Sequence, residues 1–290
     1  MISGVWPRAI IVNSETLARG HVLGALSLKE LPPGKNKEFV TIKNHRVPIA
    51  FLPNGFLGLC LDTFWEDQVL GLKTIIDYVS DLFGLEVSML AFEQKSLWSI
   101  NWVRNRQEAP IKMGDLESYD EWKEEEFKFV LRTCKPTHSL NIIAKLPNTF
   151  RFTEPLPKVD EFYVTHGNWI TVQNLMTLDS EIIRILDSKL TNTDVNTFLK
   201  YWITGETSRL EYFKVGMIDK DLEQILEGLE TEERFEETVY QKRQYGPQVS
   251  FPGGYSIRRN DGTTAAVTID SFSFFMVVLR TEETQKRTLD

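Results

Sequence analysis

Residues 169–229 decide the fold, and they read WITVQNLMTLDSEIIRILDSKLTNTDVNTFLKYWITGETSRLEYFKVGMIDKDLEQILEGL. Apolar residues in the middle of this stretch recur at the spacing of one helix face: Val195, Phe198, Leu199, Trp202 and Ile203. Thr191 or Asn192 can cap the start of this helix, and Gly205 can supply a left-handed residue at its end. The pattern predicts a packed amphipathic helix and contains nothing that indicates a reaction.

Short extended runs flank this helix at residues 181–187 and 210–215. With another run at 161–165, the strand starts near 161, 182 and 211 fall about 21 and 29 residues apart. Short helical turns fill the intervals, the first at residues 172–178. Tandem strand–helix units that bury their faces on one another are typical of solenoids. We therefore predict an α/β fold, an irregular leucine-rich-repeat-like stack of strand–helix units with a C-terminal antiparallel β-hairpin.

The C-terminal part of the chain has the pattern of antiparallel strands. YSIRR at 255–259 and TTAAVTID at 263–270 flank Asn260-Asp261-Gly262, and Asp-Gly between two extended runs predicts a two-residue turn. SFSFFMVVL, residues 271–279, predicts a third antiparallel strand. The polar residues 281–290 are predicted to form a frayed tail.

Other elements follow from local signals. Residues 68–83 predict a helix that ends at Gly84. A second helix is predicted to start at Ser118, with Glu121 completing a capping box. Asp219 is the predicted cap of a short helix, and the acidic residues 227–237 are predicted to lead into a mobile polar loop.

The composition narrows the functional classes. The chain has 290 residues, 42% hydrophobic and 26% charged, which is typical of a globular protein. Its net charge of −8 argues against a nucleic-acid-binding surface, because such surfaces rest on Lys and Arg. It has no signal-peptide pattern at its start, no apolar run of about 18 residues for a membrane span, and only two cysteines. We therefore predict an intracellular protein, in cytoplasm or nucleus, that does not act on membranes.

The chain has few residue patterns that carry chemistry. Its four histidines stand in no metal-ligand spacing, and no phosphate-binding glycine loop or nucleophile elbow occurs. We predict no catalytic, cofactor-binding or metal-binding residues, and hence a protein that is not an enzyme. Core packing is the favoured role of the tryptophans, with a sugar- or base-stacking platform as the alternative. Arg258, Arg259 and Asp261 are predicted to be exposed and solubilising, with contact to a partner as the alternative.

The stretch DSKLTNTDVNTFLKYWITGETSRLEYFKV, residues 187–215, resembles the signature of the type 2 F-box-associated domain of nematode F-box proteins. Segments elsewhere resemble the same family: Trp169-Ile170-Thr171 with Asn174-Leu175, ILEGL at 225–229, and YSIRRNDGTTAAV at 255–267. The matching signature positions are Thr191, Asp194, Asn196, Phe198, Leu199, Lys200, Trp202, Gly205, Arg209, Leu210, Glu211 and Tyr212. The resemblance extends over about residues 65–280.

This resemblance implies a substrate-recognition subunit of a cullin-type (SCF) ubiquitin ligase, bound through an F-box to a Skp-type adaptor. We predict an N-terminal F-box remnant or poorly ordered segment at 1–40 and a polar tail at 281–290. Between them, residues 41–280 would form the F-box-associated domain, with its signature at 161–229 and its closing hairpin at 255–279. The target protein and the residues that bind it are unknown from the sequence.

Two functions remain open at this stage. Leu26-Ser27-Leu28-Lys29 resembles the end of an F-box, but Leu31-Pro32 is followed by residues that cannot begin its first helix. The alternative to a ligase subunit is therefore an F-box-less interaction module, a decoy or orphan recognition domain without ligase recruitment. In either case we expect the target to bind the exposed face or rim of the stack, or the loops at 93–117 and 230–252.

Overall fold

A computed structural model describes residues 2–6, 9–12, 21–33, 38–54, 58–241 and 249–279. The chain divides into two units, Met1–Glu117 and Ser118–Asp290. Short 3-10 helices occur at Leu28–Glu30 and Gln94–Ser96. Among the described residues, no helix combines the length and the apolar composition that crossing a membrane requires.

The first unit is built on a mixed sheet in the strand order β8-β7-β1-β2-β3-β6-β5-β4. Three pairs are parallel, β1 with β7, β7 with β8 and β3 with β6, and the other neighbours are antiparallel. The bounds of its strands and helices are β1 Ile2–Trp6, β2 Ala9–Val12, β3 His21–Ser27, β4 Glu38–Ile42, β5 His45–Asn54, β6 Gly58–Trp65, α1 Gln68–Phe83, β7 Met89–Phe92, α2 Trp98–Arg106 and β8 Met113–Glu121, which continues past the unit boundary at Glu117.

Helix α1 is confirmed with the bounds that the sequence predicted. The Asp67 carboxylate caps its start by accepting hydrogen bonds from the N–H groups of Val69 and Leu70, at 2.9 and 3.1 Å. Gly84 ends it in the left-handed region, with φ of 62°. Its apolar face is buried and packs against β3 and β6.

The second unit combines four parallel strands with four antiparallel ones. Strands β9 to β12 are parallel neighbours in chain order, and β16, β15, β14 and β13 continue the sheet from β12 in antiparallel pairs. The bounds are α3 Glu124–Thr133, β9 Ser139–Lys145, β10 Glu161–Val164, α4 Val172–Thr177, β11 Ile182–Ile185, α5 Asn192–Ile203, β12 Tyr212–Gly216, α6 Leu222–Ile225, β13 Thr231–Tyr240, β14 Val249–Arg258, β15 Thr264–Ile269 and β16 Ser273–Leu279.

One face of the parallel strands carries the core of this unit. Phe162, Ile183 and Phe213 are aligned on neighbouring strands and are at most 1% exposed. Helix α5 covers this face, and the ring of its Phe198 lies 4.8 Å from the ring of Phe213. The register predicted for α5 is confirmed, since its apolar positions Val195, Phe198, Leu199 and Trp202 are buried.

The prediction of a leucine-rich-repeat-like stack is wrong, although the individual strands at 161, 182 and 211 exist. The strands form a mixed sheet with short helices, because β16 pairs antiparallel with β12 and three further long strands follow it. Local periodicity identifies each strand–helix unit but does not determine which strand pairs with the last of them. The strand after β12 in the sheet comes about 60 residues later in the chain, where a solenoid would have the next unit.

Three boundaries differ from the prediction for local reasons. The helix predicted from Ser118 exists as α3, but its predicted start is wrong, because residues 113–116 alternate in burial as strand β8 and α3 begins only at Glu124. The cap of the helix predicted at Asp219 is Asp221, whose carboxylate accepts from two N–H groups of α6. Strand β13 covers most of the acidic stretch 227–237 and extends to Tyr240, into the loop predicted to follow that stretch; residues 242–248 of that loop lie outside the described part.

The C-terminal hairpin is confirmed, but its turn is longer than the predicted two residues. Arg259 N–H donates to Thr263 O at 2.8 Å, and Gly262 N–H donates to Arg259 O at 2.9 Å. The loop is therefore Asn260-Asp261-Gly262, with Gly262 in the left-handed region at φ 91°. A three-residue loop that ends in such a glycine is a common hairpin connection. The predicted third strand, β16, pairs antiparallel with β15 as expected.

Candidate protein-binding surface

The signature residues of α5 hold helices together. Thr191 and Asp194 form a reciprocal capping box, with N–H to side-chain oxygen distances of 2.9 and 3.2 Å. The buried Asn196 donates from Nδ2 to the carbonyls of Ile225 and Glu227, at 2.8 and 2.9 Å, and so satisfies the end of α6. These positions are architectural, because each side chain fixes the end of a helix.

A second asparagine repeats this role at α4. Thr171 and Asn174 form the capping box of this helix. The buried Asn174 also donates from Nδ2 to the carbonyl of Phe152 at 2.8 Å. Each asparagine thus connects its helix to a neighbouring segment, because it donates to main-chain carbonyl groups that have no partner within a helix or a sheet.

At the amino ends of the parallel strands, Arg209 joins three segments. Its guanidinium donates to the carboxylates of Asp160 and Glu181, the latter at 3.1 Å, and to the Asp179 carbonyl, also at 3.1 Å. His138 contacts Asp160 at 3.1 Å through Nδ1. Burial alone would raise the pKa of Asp160, but hydrogen bonds from Arg209 and His138 outweigh it and lower that pKa. These ion pairs and hydrogen bonds link the segments that precede β10, β11 and β12, and so they align the starts of the three strands.

Two predictions about single side chains have different outcomes. Trp65, Trp169 and Trp202 are 4% exposed or less, as core packing requires, whereas Trp98 and Trp102 are half-buried on α2 and flank the Lys73 ammonium.

The expectation that Arg259 is exposed and solubilising is wrong, because it is 8% exposed. Arg258 and Asp261 are exposed, as predicted.

The carboxyl ends of the parallel strands present large apolar side chains to solvent. Ile218, after β12, is 84% exposed, and Phe272, in the turn between β15 and β16, is 78% exposed. Leu186, after β11, is 38% exposed. We call these three residues, with the polar Asp187 and Lys220 in the same loops and His166 in the loop after β10, the carboxyl-edge surface. Ligands of open α/β sheets commonly bind at this end of parallel strands.

Backbone and side-chain hydrogen bonds fix these loops to each other. Met217 N–H donates to Phe272 O at 3.1 Å, which places the residue before Ile218 beside Phe272. Lys220 Nζ donates to the carbonyls of Met217 and Ser271, at 3.1 and 3.0 Å. Ser188 Oγ donates to Gly216 O at 2.6 Å, which joins the loop after β11 to the end of β12. The exposed side chains therefore stand on a connected framework of loops.

Polar groups border this apolar centre. The His166 ring contacts the Asp187 carboxylate at 3.2 Å through Nδ1. Asp187 adopts a positive φ of 50°, which is uncommon outside glycine and turns the chain sharply after β11. An apolar centre with a polar rim is the composition of protein-binding surfaces. Among the described residues, no group of three or more His, Cys, Asp or Glu side chains is arranged to hold a metal ion.

Sequence reasoning did not identify these residues. It expected a target at the exposed face or rim of the stack, or at loops 93–117 and 230–252, and the two loop ranges contain α2, β8, β13 and the start of β14. The available signal was weak: Ile218 follows Met217 in the short turn GMIDKD, and Phe272 is a single apolar residue in the polar turn DSFS. Their proximity depends on β16 pairing with β12, which no local pattern indicates.

Comparison with known proteins links part of the chain to one family. A protein of Caenorhabditis elegans named Skn-1 dependent zygotic transcript 15 protein is 24% identical over 234 residues, which are 76% of this chain and 66% of that protein. The E3 ubiquitin-protein ligase hecw-1 of the same organism is 30% identical over 84 residues, 29% of this chain and 7% of that protein. No solved structure matches the chain. Residues 156–215, from the segment before β10 to the end of β12, match the family model described as F-box associated.

Proposed function

We propose that this protein is a substrate-recognition subunit of a cullin-type (SCF) ubiquitin ligase, which holds a target protein at the carboxyl-edge surface. The observation that carries the proposal is the F-box-associated match over residues 156–215. That segment builds β10, β11, α5 and most of β12, and these elements support the loops that bear Leu186 and Ile218. The similarity to a protein named as an E3 ubiquitin ligase is consistent with a role in ubiquitination.

In this proposal the protein contributes binding and no chemistry of its own. Holding a target next to a charged ubiquitin carrier turns an encounter between two molecules into a reaction within one complex. The gain is in the effective concentration of the target lysine, so no catalytic residue, cofactor or metal is needed. The required partners are the target, a Skp-type adaptor and a cullin, and the proposed location is cytoplasm or nucleus.

A second candidate is a recognition module that acts without ligase recruitment. One observation favours it. The described residues within 1–40 form strands β1, β2 and β3, the start of β4 and one 3-10 helix, whereas an F-box consists of small helices. That this segment is an F-box remnant stays a prediction.

Adaptor binding separates the two candidates. The purified full chain is mixed with a Skp-type adaptor at micromolar concentration, and complex formation is followed by size-exclusion chromatography. A ligase subunit gives a stable complex. A folded chain that remains separate from the adaptor leaves only the second candidate.

Target capture tests the surface itself. Proteins retained from cell extract by the wild-type chain are compared with those retained by Ile218→Ser/Phe272→Ser. Leu82→Ser/Phe83→Ser is the matched control, because it also replaces two exposed apolar residues, 59% and 60% exposed, on α1. We expect the first variant to lose specific proteins that the control retains. Equal retention by all three chains would exclude the carboxyl-edge surface as the target site.

A further inference from the structure

Strand β13 is a long strand at the edge of its sheet. It spans Thr231–Tyr240 and pairs with β14 on one side, and among the described residues no strand pairs with its other side. Along such an edge, alternate backbone N–H and C=O groups point away from the sheet and can pair with another chain. Ten residues is about twice the usual strand length, so the free edge is extensive.

The side chains of β13 are exposed and mostly acidic. Phe235 is 83% exposed and Val239 50% exposed. The four glutamates of the strand are all exposed: Glu232, Glu233, Glu236 and Glu237. Its one arginine, Arg234, is half-buried and lies near Glu236 and Ser256 of β14. The edge therefore combines apolar side chains with an excess of negative charge.

Protection of the edge explains only part of this composition. Charged side chains on edge strands oppose uncontrolled pairing, and the glutamates would disfavour a second copy of the chain, because like charges on paired strands repel. A phenylalanine that is 83% exposed has the opposite effect, since it adds apolar surface that a paired strand could cover. The negative charge thus disfavours pairing with a second copy of the chain and favours pairing with a basic segment.

We propose that the free edge of β13 binds an extended, basic segment of a partner protein, which adds to the sheet as a further strand. Backbone hydrogen bonds provide the pairing, as in other cases of strand addition. Lysine or arginine side chains of the segment face the glutamates, and its apolar side chains cover Phe235 and Val239. This site extends the proposed protein-binding function. It rests on that function in one respect only, namely that the protein binds other proteins.

The shape of β13 limits how the segment pairs. The register with β14 shifts between Arg234 and Glu237, which is a β-bulge. A bulge bends a strand and increases its twist, so the edge consists of two short runs on either side of it. A segment of about nine residues covers both runs, at about 3.3 Å per residue.

Peptide binding to the full chain tests this site. The probe is a fluorescein-labelled nine-residue peptide of alternating lysine and valine, and its affinity is measured by fluorescence anisotropy at about 0.15 M salt. The comparison peptides are the alternating glutamate–valine sequence and the lysine–valine peptide with N-methyl groups on alternate residues. We expect binding of the unmodified basic peptide alone, because N-methylation removes the hydrogen bonds of one peptide edge.

Matched variants localise the binding. Glu233→Lys/Glu237→Lys is expected to weaken it about tenfold or more, and Phe235→Ala several-fold. Glu206→Lys/Glu223→Lys changes the net charge equally at exposed positions off β13, and Phe83→Ala removes an exposed ring from α1, so both should bind as wild type. Equal affinity of the N-methylated peptide, or equal loss in the two charge variants, would overturn the proposal.

The outcome is independent of the proposed function. Ile218→Ser/Phe272→Ser is expected to bind the basic peptide normally even where it fails to retain a target. Failure to bind a Skp-type adaptor would not change the peptide result. Conversely, absence of peptide binding would exclude the β13 site and leave the carboxyl-edge surface untouched.

Discussion

Arg259, in the turn of the C-terminal hairpin, lies over the indole ring of Trp202 near the end of α5, with Cζ 5.4 Å from the ring centroid. The same guanidinium donates two hydrogen bonds to Asp261, from Nε at 3.0 Å and from Nη2 at 2.6 Å. The next residue, Asn260, donates its N–H to the Ile203 carbonyl at 3.0 Å. The turn thus closes the end of α5, and two separate parts of the family resemblance meet at this contact.

Trp202→Ala should destabilise the protein by about 3–5 kcal/mol, because it removes a fully buried indole and leaves a cavity. Urea unfolding followed by circular dichroism measures the change. Trp102→Ala, at a half-buried position on α2, serves as the control and should cost less. An unchanged unfolding curve for Trp202→Ala would contradict the register of α5.

Arg259→Lys should lower the free energy of unfolding by about 1–3 kcal/mol, although the charge is kept. Lysine cannot form the two-pronged contact with Asp261 or lie flat on the Trp202 ring. Arg258→Lys, at the exposed neighbouring position, should be nearly neutral. Equal effects of the two substitutions in urea unfolding would mean that the Arg259 contacts do not contribute.

Asp261 should make stability depend on pH. Hydrogen bonds from the Arg259 side chain and from the Thr263 N–H hold the pKa of this carboxyl well below its usual range. A carboxyl with a lowered folded-state pKa adds stability above its unfolded pKa of about 3.9, and this stability is lost as the pH falls toward the folded value.

We therefore expect Asp261→Asn to be less stable than the wild type at pH 7 and the difference to shrink below about pH 3.9. Urea midpoints measured for both proteins between pH 7 and 3 test this. A difference that stays constant over that range would show that ionisation of Asp261 is not linked to folding.

Asn196→Leu should cost about 1–3 kcal/mol, because it leaves the carbonyls of Ile225 and Glu227 without their side-chain donor. The two side chains have similar size, so the loss reports mainly the hydrogen bonds. Asn101→Leu, at an exposed position of α2, is the control. The free energies come from urea unfolding, and a neutral Asn196→Leu would show that water replaces the missing donor.

Local patterns in the sequence were enough to identify many elements. Helix α1, helix α5 with its capping residues, strand β10 and the C-terminal strands could be predicted because their signals lie within a few residues: apolar periodicity, an N-terminal cap, a glycine stop. The same reasoning failed at residues 113–121, where a capping-box pattern coincided with an alternating strand. It also failed at β13, since a strand with four glutamates resembles a solvated loop until its partner strand is known.

The sequence by itself determined that residues 161–229 form strands and amphipathic helices, and that Phe198, Leu199 and Trp202 lie on the packed face of α5. Only the tertiary structure decided that β16 pairs with β12, which replaced the expected repeat stack by a mixed sheet. That pairing also brings Phe272 next to the loop of Ile218. The physical reason is the distance along the chain over which each effect acts. Periodicity and capping act over about one to three helical turns, whereas this strand pairing and the surface it forms depend on contacts between residues about 60 positions apart.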